Sequence, residues 1–363
     1  MNIYKKWLLK TSLLTTVFFL GTMFFNYKVD TAGIFSSNSC LRSAASAMAN
    51  GNIVAGLGDE AFDGRLFQIL FIKEINKKVD TIALGSSRTK ELRSRYLNNS
   101  SSNFYNHSIN GSSLQDYIAI VGAYKKIKGY IPKEIIIGID PWVFNENSGR
   151  NRWKNISGYY DFMKQEISGE EMQTDKLFFS VNKLKQLLNY DYTITNIKYL
   201  YQRLRKRDNG FYIVDTLETD DFLREPDGSI HYPFSVRNPN KEKLLIKSKN
   251  YALGNVYSLE NYHKIAFKKE FDTFMKYLRQ KGVKVTIFLP PYNPIPYDIL
   301  KKQKKYKIDG VERYLRMYAK HNKLDLIGSY NPHTLNLVMT DFFDGMHVNS
   351  NSIKQMFNKY NDK

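Results

Sequence analysis

From residue 80 onward the chain alternates between short apolar runs and longer stretches whose apolar residues recur at helical spacing. Asp80-Thr81-Ile82-Ala83-Leu84 ends at Gly85 and predicts a buried strand; Asn103-Phe104-Tyr105-Asn106 predicts a second. Leu114 to Ile127 has the helical pattern, and Glu134 to Ile139, rich in β-branched residues, predicts a third strand. Further on, Tyr262 to Gln280 reads as a helix stopped by Gly282, and Val283 to Leu289 as a strand closed by Pro290-Pro291. A helix over Val311 to His321, a strand over Leu324 to Ile327 and a short helix after Asn349 complete the series. This alternation predicts an α/β fold, a three-layer sandwich with a mainly parallel sheet and helices on both faces. Ligands in such sheets bind outside the carboxyl ends of the strands.

Two segments depart from that rhythm. Residues 145–255 are rich in Tyr, Asn, Lys and Arg, carry turn signals at Asn209-Gly210 and Asp227-Gly228, and read as an insertion over the carboxyl edge, in the manner of a substrate lid. Residues 28–79 read as a juxtamembrane lead-in with an amphipathic stretch around Phe67 to Ile75. The sandwich domain itself is expected over 80–363.

The lead-in earns its name from what precedes it. Lys5 and Lys6 stand before Trp7-Leu8-Leu9, and after Lys10 no charge occurs from Thr11 to Phe25. Trp7 to Phe25 approaches the ~20 residues that cross a bilayer core, with Lys10 able to snorkel. Residues 1–27 are therefore expected to form a cytoplasmic tip and single-pass anchor in the cell membrane. The lysines place the N-terminus in the cytoplasm and the main domain outside. A cleaved signal peptide and a buried helix are the alternatives; Asn26-Tyr27-Lys28-Val29-Asp30 lacks the small-x-small pattern of a cleavage site.

Composition narrows the partners. The formal charge is +19, which speaks to association with anions and equally fits a general lysine bias. No helix-turn-helix, zinc-finger or RNA-recognition signature accompanies it, so nucleic acid is not expected. For an exported domain the anions at hand are lipid head groups, wall polymers and acidic polysaccharides. Cys40 is the single cysteine, which excludes an internal disulfide and zinc sites built on two or four cysteines. No cofactor or metal is expected.

Candidate chemistry lies in the loops that follow strands. Gly85-Ser86-Ser87-Arg88 comes directly after the first, where a serine at a helix start exposes its hydroxyl and turns its backbone N–H toward a developing oxyanion. The same residues suit a turn with an N-cap. Asp344-Gly345-Met346-His347 sits between the last strand and the last helix. A carboxylate three residues before a histidine can hold one imidazole nitrogen while the other faces a serine. A parallel sheet brings both loops to one edge, which favours a Ser-His-Asp triad over two unrelated turns. His107 lies near the same edge; His231, His263, His321 and His333 show no partner spacing.

These motifs resemble those of the SGNH/GDSL hydrolase superfamily, a flavodoxin-like three-layer fold. The likeness is greatest to its membrane-anchored members that work beside membrane-bound O-acyltransferases, such as alginate O-acetylation proteins and D-alanyl teichoic acid transfer proteins. The Gly-Asp-Ser block corresponds to Gly85-Ser86-Ser87 and selects Ser87 as nucleophile. The second block corresponds loosely to Asn106-His107-Ser108-Ile109-Asn110-Gly111, which implies an oxyanion hole from the Ser87 and Gly111 N–H groups. Asp344 and His347 match the final Asp-x-x-His. The resemblance implies serine acyl transfer or ester hydrolysis on a cell-envelope glycan or anionic polymer, with a membrane-bound O-acyltransferase as partner.

The third block departs from the pattern. Where the family often has Gly-x-Asn-Asp, this strand ends Gly138-Ile139-Asp140-Pro141-Trp142. An ionised Asp140 cannot donate to an oxyanion and would repel it. It either caps the Asp140-Pro141 turn or binds a cation such as Arg88. Trp142 lines an acyl or sugar site or packs in the core. Tyr292, in Pro290-Pro291-Tyr292-Asn293-Pro294, contacts substrate or shapes a rigid loop. The Asp140 departure keeps open a second class of function, a catalytically silent envelope-binding or scaffold protein.

Overall fold

The computed structural model describes residues 3–30, 35, 40–58, 62–97, 103–169, 184, 186–206, 211–253 and 256–361. In chain order its strands are β1 (Ile53–Ala55), β2 (Thr81–Leu84), β3 (Phe104–Asn106), β4 (Glu134–Gly138), β5 (Tyr212–Val214), β6 (Leu223–Arg224), β7 (Ile230–His231), β8 (Lys284–Leu289) and β9 (Asp325–Gly328). Five of them form a wholly parallel sheet in the order β3-β2-β4-β8-β9. The protein is thus α/β, and the five strands are those expected from the apolar runs.

Both faces of that sheet are dry, which explains why its strands read as unbroken apolar runs. Ile82, Leu84, Ile135, Ile137, Ile287 and Leu289 point to one side and join a core with Ile118, Phe271 and Leu315 from helices. Ala83, Ile136, Phe288 and Ile327 point to the other, against Ile353, Met356 and Phe357 of helix Ser350–Asn361. Burying each large aliphatic side chain contributes on the order of 1.5–3 kcal/mol.

Helix boundaries shifted where tertiary contacts overrode local pattern. The helix expected from Tyr262 begins at Lys268. The preceding residues are instead tied to the loop after β4: Tyr262 Oη donates to the Pro141 carbonyl at 2.9 Å and the Ala266 N–H to the Phe144 carbonyl at 2.8 Å. The helix from Leu114 is α-helical to Ala123 and then widens into a π turn over Tyr124–Lys128.

The lead-in and the insertion are less separate than the sequence suggests. A second, antiparallel sheet has the order β5-β1-β6-β7, so β1 of the lead-in is sandwiched between strands of the insertion. The stretch around Phe67 lies in helix Gly64–Glu74, whose residues from Phe67 to Ile72 are all buried. It is a core helix, not a one-sided amphipathic one. The insertion holds helices Ser157–Ser168, Tyr190–Lys206 and Lys241–Leu253. The Asp227-Gly228 turn joins β6 to β7, and Gly228 (φ +82°) lets this turn press against the Asn106 carbonyl. The Asn209-Gly210 turn lies outside the described residues.

At the other end α1 (Ile3–Val29) is a continuous helix long and apolar enough to cross a membrane.

Candidate active site

β2 ends at Leu84, and the chain turns at once into a short 3₁₀ helix, Ser87–Thr89. Ser86 caps it, its hydroxyl accepting the Arg88 N–H at 3.1 Å. This leaves Ser87 as the first helical residue, half-buried at the sheet's carboxyl edge. The turn is tight because Thr89 folds back between two strand ends. A Cβ on Gly85 or on Gly138 would collide with the Thr89 side chain. Both glycines are therefore fixed by packing beside the serine.

Ser87 and His347 meet: His347 Nε2 lies 2.8 Å from Ser87 Oγ. His347 Nδ1 lies 2.8 Å from Asp344 Oδ2. The other Asp344 oxygen accepts the N–H groups of Met346 at 2.8 Å and His347 at 2.9 Å. Burial pushes the Asp344 carboxyl upward, but His347 and these backbone donors outweigh it and hold it below the usual carboxylate range. An ionised Asp344 accepts only, so the imidazole donates its Nδ1–H to it and turns Nε2 toward the Ser87 hydroxyl. This is the tautomer a general base needs.

Arg88, next to the serine, fastens the edge together. Its guanidinium donates to Asp140 Oδ1 at 2.7 Å, to the Met346 carbonyl at 2.9 Å and to the Pro290 carbonyl at 2.6 Å. Neither Arg88 nor Asp140 exposes its side chain. Burial raises the Asp140 carboxyl above its ordinary value while Arg88 pulls the other way. Asp140 makes no side-chain cap to its own turn. Of its two expected roles the structure has the cation-binding one, and the charge that would repel an oxyanion is matched by Arg88.

The remaining candidates divide. Tyr292 is fully buried, its ring 4.0 Å from the Arg88 guanidinium carbon. It therefore supports Arg88 and has no surface for a substrate. Trp142 is also buried; its Nε1–H donates to the Ser112 carbonyl at 3.1 Å and its ring packs edge-on to Tyr257. Gly111 lies two residues after Ile109, whose N–H donates to the Gly85 carbonyl at 2.8 Å and so holds the second loop against the Ser87 turn. Gly111 adopts φ +58°, and a Cβ there would lie 2.5 Å from Tyr257 Oη and 2.7 Å from Arg150 Nη1. His107 is elsewhere, sealed between Gln68 and Tyr124 at 2.6 Å each, and burial lowers its pKa to about 3. It is a neutral core residue.

No protein-family model matches the chain, and a search of curated proteins finds no significant relative.

Several residues that position the site were given no role by the sequence, although Asn106 and Asn293 lie within quoted motifs. Asn293 donates to the Asp344 carbonyl at 3.1 Å and to Ser248 Oγ, while its own N–H meets the Gly345 carbonyl at 3.2 Å. Asn106 donates from one amide to the carbonyls of Thr89 and Leu92 at 3.0 and 2.9 Å, clamping the segment after the serine. From the insertion, the Tyr232 ring lies 6.5 Å from the His347 ring. Glu225 accepts from Arg93 at 2.6 Å and Arg95 at 2.7 Å, docking the β6–β7 hairpin on the chain beyond Ser87. Asparagines and tyrosines are abundant throughout this sequence, so composition did not single these out.

Proposed function

We propose that the protein is an SGNH-type serine acyltransferase or ester hydrolase, its α/β domain a three-layer sandwich. The observation that carries this reading is the unbroken relay from Asp344 through His347 to Ser87, with 2.8 Å at each step. In this mechanism His347 Nε2 takes the Ser87 proton as Oγ attacks an ester carbonyl, and Asp344 steadies the imidazolium. The backbone N–H groups of Ser87 and Gly111 hold the tetrahedral oxyanion. His347 then returns the proton to the departing alcohol, leaving an acyl-Ser87. A sugar hydroxyl, a polymer hydroxyl or water, deprotonated by the same imidazole, takes the acyl group and frees the serine.

With α1 as a membrane anchor and the domain outside, the substrates would be ester-linked acyl groups on a cell-envelope glycan or anionic polymer. A membrane-bound O-acyltransferase is the partner this reading calls for. The test is turnover of an activated acetyl ester by the full chain. Ser87→Ala should reduce it to background, and undiminished turnover would remove the assigned nucleophile.

A further inference from the structure

Helix Tyr190–Lys206 presents two faces of different character. Tyr192, Asn196 and Tyr199 are buried on one. That face grips the end of α1. Tyr192 Oη donates to Asp30 Oδ1 at 2.7 Å, and Asn196 Nδ2 donates to Asn26 Oδ1 at 2.9 Å. Asn26, itself fully buried, donates to Thr193 Oγ1 at 2.7 Å and to the Leu187 carbonyl at 2.8 Å.

The opposite face carries Tyr190, Ile197, Tyr201 and Leu204. At 100° per residue these positions fall within one narrow stripe. Their exposures are 77%, 48%, 56% and 71%. Exposed apolar residues aligned in this way mark a contact surface more than chance.

Its position says what covers it. Tyr192 pairs with Asp30 and Asn196 with Asn26, so the helix runs antiparallel to α1. Residues after Asn196 therefore return alongside the segment before Asn26, which is the apolar span ending at Phe25. Ile197, Tyr201 and Leu204 thus face the same surroundings as the end of that span. The two tyrosines of the stripe, Tyr190 and Tyr201, suit the headgroup region.

We propose that helix Tyr190–Lys206 is a second membrane-contacting element, its stripe seated in the headgroup–acyl boundary of the bilayer that α1 enters. This rests on α1 being a membrane span and is independent of the Ser87 chemistry. The insertion would then hold the catalytic domain at a fixed height and tilt over the lipid surface, through Asn26 and Asp30, and not merely tether it.

The experiment uses the full chain with Cys40→Ser, reconstituted in vesicles of phosphatidylcholine and phosphatidylglycerol. Single cysteines at Leu14→Cys, Ile197→Cys, Leu204→Cys and Met317→Cys carry an environment-sensitive fluorophore. Met317 is 66% exposed on helix Ile308–Asn322 and reports bulk water. The expected result is blue-shifted emission, quenched by doxyl-labelled lipid, at positions 14, 197 and 204 but not 317. If position 14 is quenched while 197 and 204 behave like 317, the proposal fails and the anchor stands. If 197 and 204 are shielded from aqueous iodide yet unquenched by lipid, another protein surface covers the stripe and the proposal fails. If position 14 is not quenched either, the membrane reading itself is lost.

Discussion

The Arg88 guanidinium lies 2.7 Å from the Asp140 carboxylate with neither side chain exposed, and Arg88 is the residue after Ser87. The same guanidinium holds the Met346 carbonyl, one residue before His347. Arg88 thus ties the Ser87 turn, the end of β4 and the Asp344–His347 loop into one unit.

Removing one member of such a pair leaves a buried charge uncompensated. Arg88→Met and Asp140→Asn should each destabilise the full chain by roughly 3–5 kcal/mol. The double variant should lose clearly less than the sum of the two. Denaturant unfolding of the purified proteins measures this cycle. Strictly additive losses would mean that the pair does not act as a unit.

Asp344→Asn tests orientation without removing bulk. The amide can offer an N–H to His347 Nδ1, which favours the tautomer with its proton on Nε2 and deprives Ser87 of its base. Turnover of an activated ester should fall by on the order of 10⁴-fold, while unfolding midpoints change little. A loss of less than tenfold would show that the carboxylate does not govern the tautomer.

Glu91 is predicted to impose a pH dependence on stability. It is nearly enclosed, 3.6 Å from Arg93, and burial raises its pKa to about 7 despite the charges of Arg93 and Arg237. A carboxyl raised above its unfolded value binds its proton more tightly when folded. Its contribution is full below about pH 4.5 and is lost as pH rises through about 7. Glu91→Gln should therefore gain stability relative to the parent at pH 8, by about 3 kcal/mol at most from the size of the shift. Near pH 4 the two should be alike. Thermal unfolding across pH 4–8 checks the sign; a variant less stable at pH 8 would contradict it.

Gly111 has both a left-handed backbone and crowded surroundings. Gly111→Ala should cost about 1–3 kcal/mol through strain and through contact with Tyr257 and Arg150. Pairing it with Tyr257→Phe should recover part of the contact cost and none of the backbone cost. Unfolding midpoints of the three proteins decide this.

The strands of the parallel sheet were legible because both faces are buried, so β2, β4 and β8 are nearly continuous apolar runs ended by Gly85, Gly138 or Pro290. Ser87 was legible because it directly follows β2; Asp344 and His347 were legible by their spacing, although their loop lies well beyond the end of β9 at Gly328. What stayed hidden depends on distant chain. β1 is three residues long and acquires meaning only between β5 and β6. Asn293 and Asn106 act through carbonyls that have no sequence signature. Tyr292 was expected to contact substrate or shape a rigid loop, whereas its ring is buried against Arg88. The helix expected from Tyr262 started late because that tyrosine was claimed by the Pro141 carbonyl.

Covalent labelling reports directly on whether Ser87 is activated. The full chain is treated with a fluorophosphonate, and the modified residue is located by peptide mass spectrometry. An activated serine predicts one adduct, on Ser87, lost in Ser87→Ala and strongly slowed in His347→Ala. An unmodified Ser87 in folded protein would rule out an activated serine and leave the silent scaffold in its place.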